Sequence, residues 1–403
     1  MGKGLEQVVV IAAKRTPVGK MGGCFKDILP EDLLVPVIRE VVSSTGLNEE
    51  IIDEVIMGQA KPTTDAPNIA RVASLKVGLP EDLPAYSVHR QCGSGMQAIA
   101  SAAWQIQAGY ADVIIAGGVE SMSTAPYYLR KCRFGYVAGN GELVDPNTES
   151  QPKSQPEETY GRFTMGETAE NLAEMYAISR KEQDEFAYRS HMRAIRAIDA
   201  GRFAEEIVQI TIAKSKGTPI TVGVDEGPRR DTNLEKLAAL KPAFKEGGTV
   251  TAGNSSSRND GAAALLLTSE KKAKEFGLKP IARLVSIGIA AVDPRIMGIG
   301  PVPATKDVLK RAGLRLDDID IVELNEAFAA QSLAVLKELP FDPEIVNVNG
   351  GAIALGHPLG CSGARITATL LHEMIKRKAK LGLAAICIAG GQGMATIYEN
   401  LML

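Results

Sequence analysis

The 403-residue sequence has no Cys-x-x-Cys pair, few aromatic residues and no strong excess of either charge. Its five cysteines, at positions 24, 92, 132, 361 and 387, argue against a disulfide framework and against a zinc or other metal site, and they favour a reducing compartment. A formal net charge of −3 argues against nucleic-acid binding. No apolar run approaches the ~18 residues of a membrane span, and no signal segment precedes the first apolar stretch. We therefore expect a cytoplasmic protein without nucleic-acid or membrane partners.

Short apolar strands alternate with helical patterns along the chain, which is typical of an α/β fold. The first series predicts strands over 8–13, 54–59, 83–88 and 113–116 and helices over 30–44 and 68–77. A second series predicts strands over 281–289, 319–322, 345–348 and 384–388 and helices over 304–312, 327–337 and 363–376. Between them, 260–267 is predicted to return as a strand. These elements indicate a mixed, mainly parallel sheet with helical layers.

Not only the order of the elements but also short stretches of sequence recur in the second series, which indicates a duplicated domain. Ser94-Gly95 is echoed by Ser362-Gly363, and Ile115-Ala116-Gly117-Gly118 by Ile388-Ala389-Gly390-Gly391. Gly46-Leu47 followed by Ile52-Asp53-Glu54-Val55 has a counterpart in Gly313-Leu314 followed by Ile319-Asp320-Ile321-Val322. We predict one half over 1–120 and 249–271 and the other over 272–403, with a pocket shared by corresponding loops.

The region 121–248 between the halves is more polar and carries a helical stretch over 169–200. It is either a surface insertion or a lid over a ligand.

Cys92 lies where a predicted strand meets a predicted helix, in Gln91-Cys92-Gly93-Ser94-Gly95. A helix N-terminus favours a thiolate, so this position predicts a lowered cysteine pKa and a nucleophile at neutral pH. The alternative is a buried cysteine in a tight turn.

Three further stretches carry groups that could act with a cysteine. His357, between Gly356 and Pro358, is the best candidate base, with His89 as competitor; His191 and His372 fall on predicted helices and are expected to be structural. Cys387 ends a strand and could move a proton, or it could be a buried strand residue. Asn325 could cap a helix or orient a water or an oxyanion.

The motifs Cys-Gly-Ser-Gly at 92–95, Asn-Glu-Ala-Phe at 325–328, Gly-His-Pro at 356–358 and Cys-x-x-Gly-Gly at 387–391, in this order, closely resemble the thiolase family. The resemblance covers nearly the whole chain. The second cysteine argues for a thiolase proper over the related condensing enzymes of fatty-acid synthesis.

The resemblance implies a role for each motif residue. Cys92 would be acylated by an acyl-CoA with His357 as base, and Cys387 would exchange a proton with C2 of acetyl-CoA. Asn325, through a water, would stabilise the enolate with His357, and the N–H groups of Cys92 and Ala389 would form an oxyanion hole. Further implied contacts are Ser256 with the pantetheine, Arg229 near the adenine, and Met165, Phe244, Met297 and Phe328 around the acyl group.

The implied activity is reversible condensation of two acetyl-CoA to acetoacetyl-CoA and CoA, with CoA as part of substrate and product and no permanently bound cofactor. A degradative 3-ketoacyl-CoA thiolase for longer chains and a weakly catalytic acyl-CoA- or lipid-binding relative remain alternatives. The resemblance also implies a homo-oligomer, a tetramer or dimer.

Two departures from the family pattern bear on the choice between these activities. Ala389 stands where the family usually has glycine, and Thr164 stands where many acetoacetyl-CoA thiolases have histidine.

Overall fold

The computed structural model describes residues 6–213 and 217–403. The strands are β1 Val8–Arg15, β2 Gly19–Lys20, β3 Glu54–Gly58, β4 Ala85–Val88, β5 Val113–Ser121, β6 Tyr128–Leu129, β7 Leu143–Val144, β8 Ile210–Ile212, β9 Ile220–Val222, β10 Asn259–Ser269, β11 Ala282–Ala291, β12 Ile321–Leu324, β13 Leu381–Ile388 and β14 Gln392–Asn400. The helices are α1 Pro30–Ser43, α2 Ile69–Val77, α3 Ser94–Ala108, α4 Pro146–Glu149, α5 Glu157–Tyr160, α6 Met165–Met175, α7 Arg180–Asp199, α8 Leu234–Ala238, α9 Glu270–Glu275, α10 Pro301–Ala312, α11 Ala329–Glu338, α12 Ala352–Leu355 and α13 Leu359–Arg377.

The main sheet runs β12-β13-β14-β11-β1-β10-β5-β3-β4 and confirms the α/β class. In the first half, β1, β3, β4 and β5 share one direction and β10 is reversed. In the second half, β11, β12 and β13 share a direction and β14 is reversed. Each half therefore has mainly codirectional strands, although β10 and β14 form antiparallel ladders with both neighbours. A short antiparallel ladder between β1 and β11 joins the halves.

Helices α3 and α13 pack together in the centre of the protein. One core joins them to one face of the strands, including Ile114 and Ala116 of β5 and Ala384 and Ile386 of β13. The opposite faces pack outward, on α1 and α2 in the first half and on α10 and α11 in the second. Side chains alternate between the two faces of each strand, so one face of the sheet packs on the central helices and the other face packs on the outer helices.

The echo of Ser94-Gly95 in Ser362-Gly363 marks the place where α3 and α13 cross. A Cβ on Gly363 would lie 2.4 Å from the backbone nitrogen of Met96, and one on Gly95 would lie 2.9 Å from the carbonyl oxygen of Gly360. Only glycine allows the two helix beginnings to approach this closely. The crossing brings together the two turns that precede these helices, which carry Cys92 and His357.

Two sequence predictions fail at residues with positive φ. The predicted strand 345–348 is reduced to one bridge between Val346 and Val322. Asn347 there has φ 46°, and its side chain bonds to the N–H (2.8 Å) and C=O (2.9 Å) of Leu324, replacing a strand ladder. The helical stretch 169–200 is divided between α6 and α7, because Ala177 has φ 48° and Ser179 begins α7 with a capping box.

A buried arginine ties the region 121–248 to the first strand. Arg15 is fully buried, and it bonds to both carboxylate oxygens of Asp225 (2.7 and 3.0 Å) and to Glu206 (2.6 Å). Its guanidinium also stacks on the ring of Phe203. Because the guanidinium is paired with two carboxylates, its charge can be buried. The same bonds hold the region 121–248 against the sheet. No helix in the described ranges is long and apolar enough to cross a membrane.

Candidate functional site

A cavity of about 270 Å³ lies where both halves and the inserted region meet. Cys92, His357 and Cys387 all line it. Ser256 and the four predicted acyl-pocket residues share its wall: Met165, Phe244, Met297 and Phe328. The fold therefore brings into one site residues separated by nearly 300 positions in the sequence.

Cys92 lies just before α3, in a turn with an unusual backbone. Gln91 has φ 45°, Gly93 is the N-cap, and the helix begins at Ser94. Burial raises the pKa of the Cys92 thiol to about 11, although the N–H groups of Ala389 and Cys92 and the ammonium of Lys61 act in the opposite direction. The helix position was predicted correctly, but the predicted lowering of the pKa is wrong, because desolvation outweighs the helix N-terminus. The resting residue is a thiol that needs a base.

Ala389 fits its turn without strain. The positions of this turn with positive φ are Gly390 (85°) and Gly391 (78°), so the residue before them has no need to be glycine. Its backbone N–H lowers the pKa of the Cys92 thiol against the effect of burial. Alanine in place of the usual glycine thus leaves the backbone donor beside the nucleophile.

His357 is buried and held in one orientation. Its Nδ1 lies 2.6 Å from the hydroxyl of Ser362, which itself donates to the carbonyl oxygen of Pro358 at 2.9 Å. Because that hydroxyl proton is already used, Nδ1–H is the donor to Ser362, and Nε2 is left as the acceptor. Burial, with the charge of Arg365 adding to it, lowers the pKa of His357 to about 3. The imidazole is therefore a neutral base.

Cys387, at the end of β13, is almost completely buried. Burial raises the pKa of its thiol well above the usual range, and the negative charge of a Cys92 thiolate raises it further. The two thiols are therefore coupled electrostatically, so that ionising both together is unfavourable. A Cys92 thiolate therefore favours the protonated form of Cys387.

Asn325 follows β12 and does not cap a helix. Helix α11 begins four residues later, at Ala329, and its N-cap is Phe328 without a side-chain cap bond. The amide of Asn325 is fully buried, and within residues 6–213 and 217–403 neither its nitrogen nor its oxygen has a protein partner. A buried amide of this kind is satisfied by water or by a ligand.

The acyl side of the cavity is apolar. The rings of Phe244 and Phe328 meet edge to face, 5.9 Å apart. Gly166 allows Phe244 to lie close, since a Cβ there would be 2.1 Å from the ring. Thr164 also lines the cavity, but its hydroxyl caps α6 in a capping box with Glu167. It is a helix-capping residue and does not replace a catalytic histidine.

A second, larger cavity of about 540 Å³ adjoins the first and shares Ser255, Ser257 and Arg258 with it. Arg229 lines this cavity, as do three other basic residues: Lys20, Lys236 and Arg258. Such a concentration of positive charge suits a ligand carrying several phosphate groups.

Sequence reasoning assigned His191 to a structural position, but it lines this second cavity. Its Nδ1 accepts the backbone N–H of Arg229 at 3.2 Å, and burial lowers its pKa to about 4. Lys20, Lys236 and Arg258 were also missed, since isolated basic residues carry no spacing signal. His372 lines neither of these two cavities, and its Nε2 donates to the carbonyl oxygen of Ala13 at 2.8 Å. The competitor His89 does not line either cavity.

Comparison with known proteins identifies the family. Residues 8–271 match the family model described as "Thiolase, N-terminal domain", and residues 278–400 match "Thiolase, C-terminal domain". An acetyl-CoA acetyltransferase of Pseudomonas aeruginosa is 51% identical over 391 residues, which cover 97% of this chain and 98% of the relative. A probable acetyl-CoA acyltransferase of Staphylococcus aureus is 49% identical over 396 residues, covering 98% of this chain and 100% of the relative.

Solved structures agree with this assignment. The crystal structure of the Bacillus anthracis acetyl-CoA acetyltransferase is 50% identical, with a TM-score of 0.95 over 99% of this chain and 100% of that chain. Human mitochondrial 3-ketoacyl-CoA thiolase in complex with CoA is 45% identical, with a TM-score of 0.93 over 98% of each chain. The chain is an acyltransferase that belongs to the thiolase family.

Proposed function

We propose that this thiolase interconverts acetoacetyl-CoA plus CoA with two molecules of acetyl-CoA, through an acetyl group carried on Cys92. The observation that carries the proposal is the convergence of Cys92, His357 and Cys387 in one cavity beside a basic cavity large enough for a nucleotide. The acetyl-CoA acetyltransferases of Pseudomonas aeruginosa and Bacillus anthracis, each at least 50% identical, support the acetyl-transfer activity.

In the thiolysis direction, His357 Nε2 takes the thiol proton of Cys92, and the sulfur attacks C3 of acetoacetyl-CoA. The N–H groups of Cys92 and Ala389 stabilise the negative oxygen of the tetrahedral intermediates that form at Cys92. The C2–C3 bond then breaks, and C2 takes the proton of the Cys387 thiol, which releases acetyl-CoA. A water held by the unpartnered amide of Asn325, together with His357, stabilises the enolate oxygen before C2 is protonated.

In the second half-reaction, free CoA gives its thiol proton to the Cys387 thiolate and attacks the acetyl group on Cys92. The second acetyl-CoA leaves, and the Cys92 thiolate recovers its proton from His357. Every proton is thereby returned, and the enzyme is restored. Condensation of two acetyl-CoA is the same sequence in reverse.

The CoA portion of the substrate occupies the second cavity in this proposal. We assign Arg229 to the adenine end, and Lys20, Arg258 and Lys236, which also pairs with Asp231 at 2.9 Å, can neutralise phosphate groups. Ser256 lines the first cavity between Ser255 and Ser257, which line both, and its N–H bonds to the carbonyl of Ala327 at 3.0 Å; we assign the pantetheine to this junction. CoA enters and leaves as substrate and product, and no permanently bound cofactor is needed.

A thiolysis assay with 3-ketoacyl-CoA substrates of increasing length tests the proposal. We expect the largest kcat/KM with the four-carbon acetoacetyl-CoA, because the large side chains of Phe244, Phe328 and Met297 line the acyl side of this small cavity. A rate that rises with longer chains would instead support the degradative 3-ketoacyl-CoA thiolase. An intact-mass measurement after incubation with acetyl-CoA should show acetylated Cys92. Its absence would favour the weakly catalytic acyl-CoA-binding alternative.

We also propose that the chain forms a homo-oligomer, either a tetramer or a dimer. The support is an exposed apolar surface on the hairpin of β6 and β7 and its connecting loop, where Phe134 is 97% and Tyr127 62% exposed. Apolar side chains in such a group favour contact with another protein. Light scattering after size exclusion should give a mass of two or four 42.8 kDa chains. Replacing Phe134 by aspartate should lower that mass, and a monomeric wild-type protein would contradict the proposal.

We also propose the boundaries of the domains and the compartment of the protein. We place the two halves at 1–120 with 249–271 and at 272–403, and the inserted region at 121–248. Residues of the inserted region that line the cavities, such as Met165 and Arg229, support its role as a cover over the CoA site. Five free cysteines support a reducing compartment such as the cytoplasm.

A further inference from the structure

Lys61 is a buried lysine near the site, and it takes no part in the steps proposed for Cys92, His357 and Cys387. It follows β3, and only 3% of its surface is exposed. Its ammonium donates to two neutral oxygens, the hydroxyl of Ser150 and the side-chain Oε1 of Gln151 (3.3 Å). In the part of the chain that the structure describes, it forms no ion pair. A buried ammonium without a carboxylate partner is costly.

Glu120 is the carboxylate that raises the pKa of Lys61 most, but its oxygens bond to backbone N–H groups and form no ion pair with the Lys61 ammonium in the described residues. One accepts the N–H of Lys61 (3.0 Å), and the other accepts those of Ala60 (3.0 Å) and Gly360 (2.9 Å). Burial raises the pKa of Glu120 to about 7, so it is only partly charged at neutral pH. Its contacts hold the end of β3 against the beginning of α13 and leave the ammonium without a full negative partner.

Besides the carboxylates of Glu120 and Asp145, the anion that acts on Lys61 is the nucleophile once it ionises. Gln151, which accepts from Lys61, lines the cavity together with Cys92. Ser154, three residues later, accepts from the amide of Gln91 at 3.0 Å, and the Gly390 turn lies against its backbone. The same short segment therefore contacts the ammonium, the turn of the nucleophile and the turn of the oxyanion hole.

Few charged groups act on Lys61 and Cys92. The groups that face Lys61 are Glu120, Cys92, Arg258 and Asp145. The groups that face Cys92 are Lys61 and Glu120, together with the coupled thiol of Cys387. His89 also lies within reach of the Lys61 charge. Burial lowers the pKa of Lys61, and its ammonium is the cation that acts on Cys92 before His357 takes the thiol proton and becomes an imidazolium.

We propose that Lys61 is a positioning residue for the reaction, whose ammonium is the counter-charge of the Cys92 thiolate formed when His357 takes the thiol proton. This inference rests on Cys92 being the nucleophile. The negative charge that Lys61 lacks at rest appears on the neighbouring sulfur during each half-reaction. The free-energy cost of burying the ammonium is offset by its attraction to the reactive thiolate.

The test is the pH dependence of Cys92 alkylation by iodoacetamide, followed by peptide mass spectrometry. Lys61→Met should raise the apparent pKa of alkylation by about one unit, the lower end of the effect of removing a nearby opposite charge. Lys61→Arg keeps the charge and should stay close to the wild type. Lys181→Met, which removes a lysine whose side chain is 85% exposed, is the matched control and should not shift the profile. The exposed Cys132 supplies an internal reference for reagent reactivity.

An unchanged alkylation profile in Lys61→Met, even with lower turnover, would overturn the proposal and leave Lys61 as an anchor of the Ser150–Gln151 segment alone. If Lys61→Met does not fold, Lys61→Gln, neutral but still able to bond to Ser150, gives the same comparison. The readout also separates this inference from the proposed function. A wild type that is never acetylated by acetyl-CoA contradicts the function, whereas the alkylation shift depends only on the acidity of Cys92.

Discussion

Replacing Cys387 by alanine is expected to lower the rate of acetoacetyl-CoA formation by about 10³-fold, within the range for loss of a group that transfers a proton to or from carbon. Acetylation of Cys92 by acetyl-CoA should persist, because it leaves the C2 protons in place and because the departing CoA thiolate, whose thiol pKa is close to that of a free cysteine, can leave without the proton that Cys387 otherwise supplies. Two measurements check this: the condensation rate, and the mass of the protein after brief exposure to acetyl-CoA. The variant should accumulate as its acetylated form.

The chain offers a matched control in Cys361. It is a buried cysteine of α13 that does not line the cavity. Cys361→Ala removes the same thiol from the same kind of environment, so any general cost of a small cavity in the core appears in both variants. We expect Cys361→Ala to keep both activities. Equal loss of acetylation and condensation in Cys387→Ala would contradict the role assigned to Cys387.

Much of the fold could be predicted from the sequence because apolar periodicity records which face of an element is buried. The paired series of strands and helices are present in the structure, and the echoed Ser-Gly pairs mark the helix crossing that places Cys92 near His357. The failures are local. Asn347 replaces a strand ladder by side-chain bonds, and positive φ at Ala177 divides a helix; neither effect has an apolar pattern.

The electrostatics of the site could not be predicted in the same way. A helix N-terminus favours a thiolate, and the sequence shows the helix, but it does not show that Cys92 is buried under residues from both halves. Burial depends on distant segments, and it reverses the sign of the pKa change. For the same reason the buried position of Lys61 and the unpartnered amide of Asn325 emerge only in three dimensions.

Replacing His357 by alanine is expected to lower the rate of Cys92 acetylation by about 10³-fold, the middle of the range for loss of a general base. The reason lies in the resting state of the nucleophile. With the pKa of Cys92 raised to about 11, only about one molecule in 10⁴ carries the thiolate at pH 7 without a base to remove the proton. Pre-steady-state mass spectrometry of the acetyl adduct measures the rate directly.

The pH profile makes this prediction specific to a base. In the wild type, the pKa of His357 is lowered to about 3, so the imidazole stays neutral above about pH 4, and acetylation should show no fall near the ordinary histidine pKa of about 6.5. In His357→Ala, only the thiolate reacts, and the rate should rise about tenfold for each pH unit up to the pKa of Cys92. His372→Gln, a buried histidine bonded to the carbonyl of Ala13 and outside the catalytic cavity, is the control and should keep the wild-type profile. A flat profile in His357→Ala would show that another group removes the proton of Cys92.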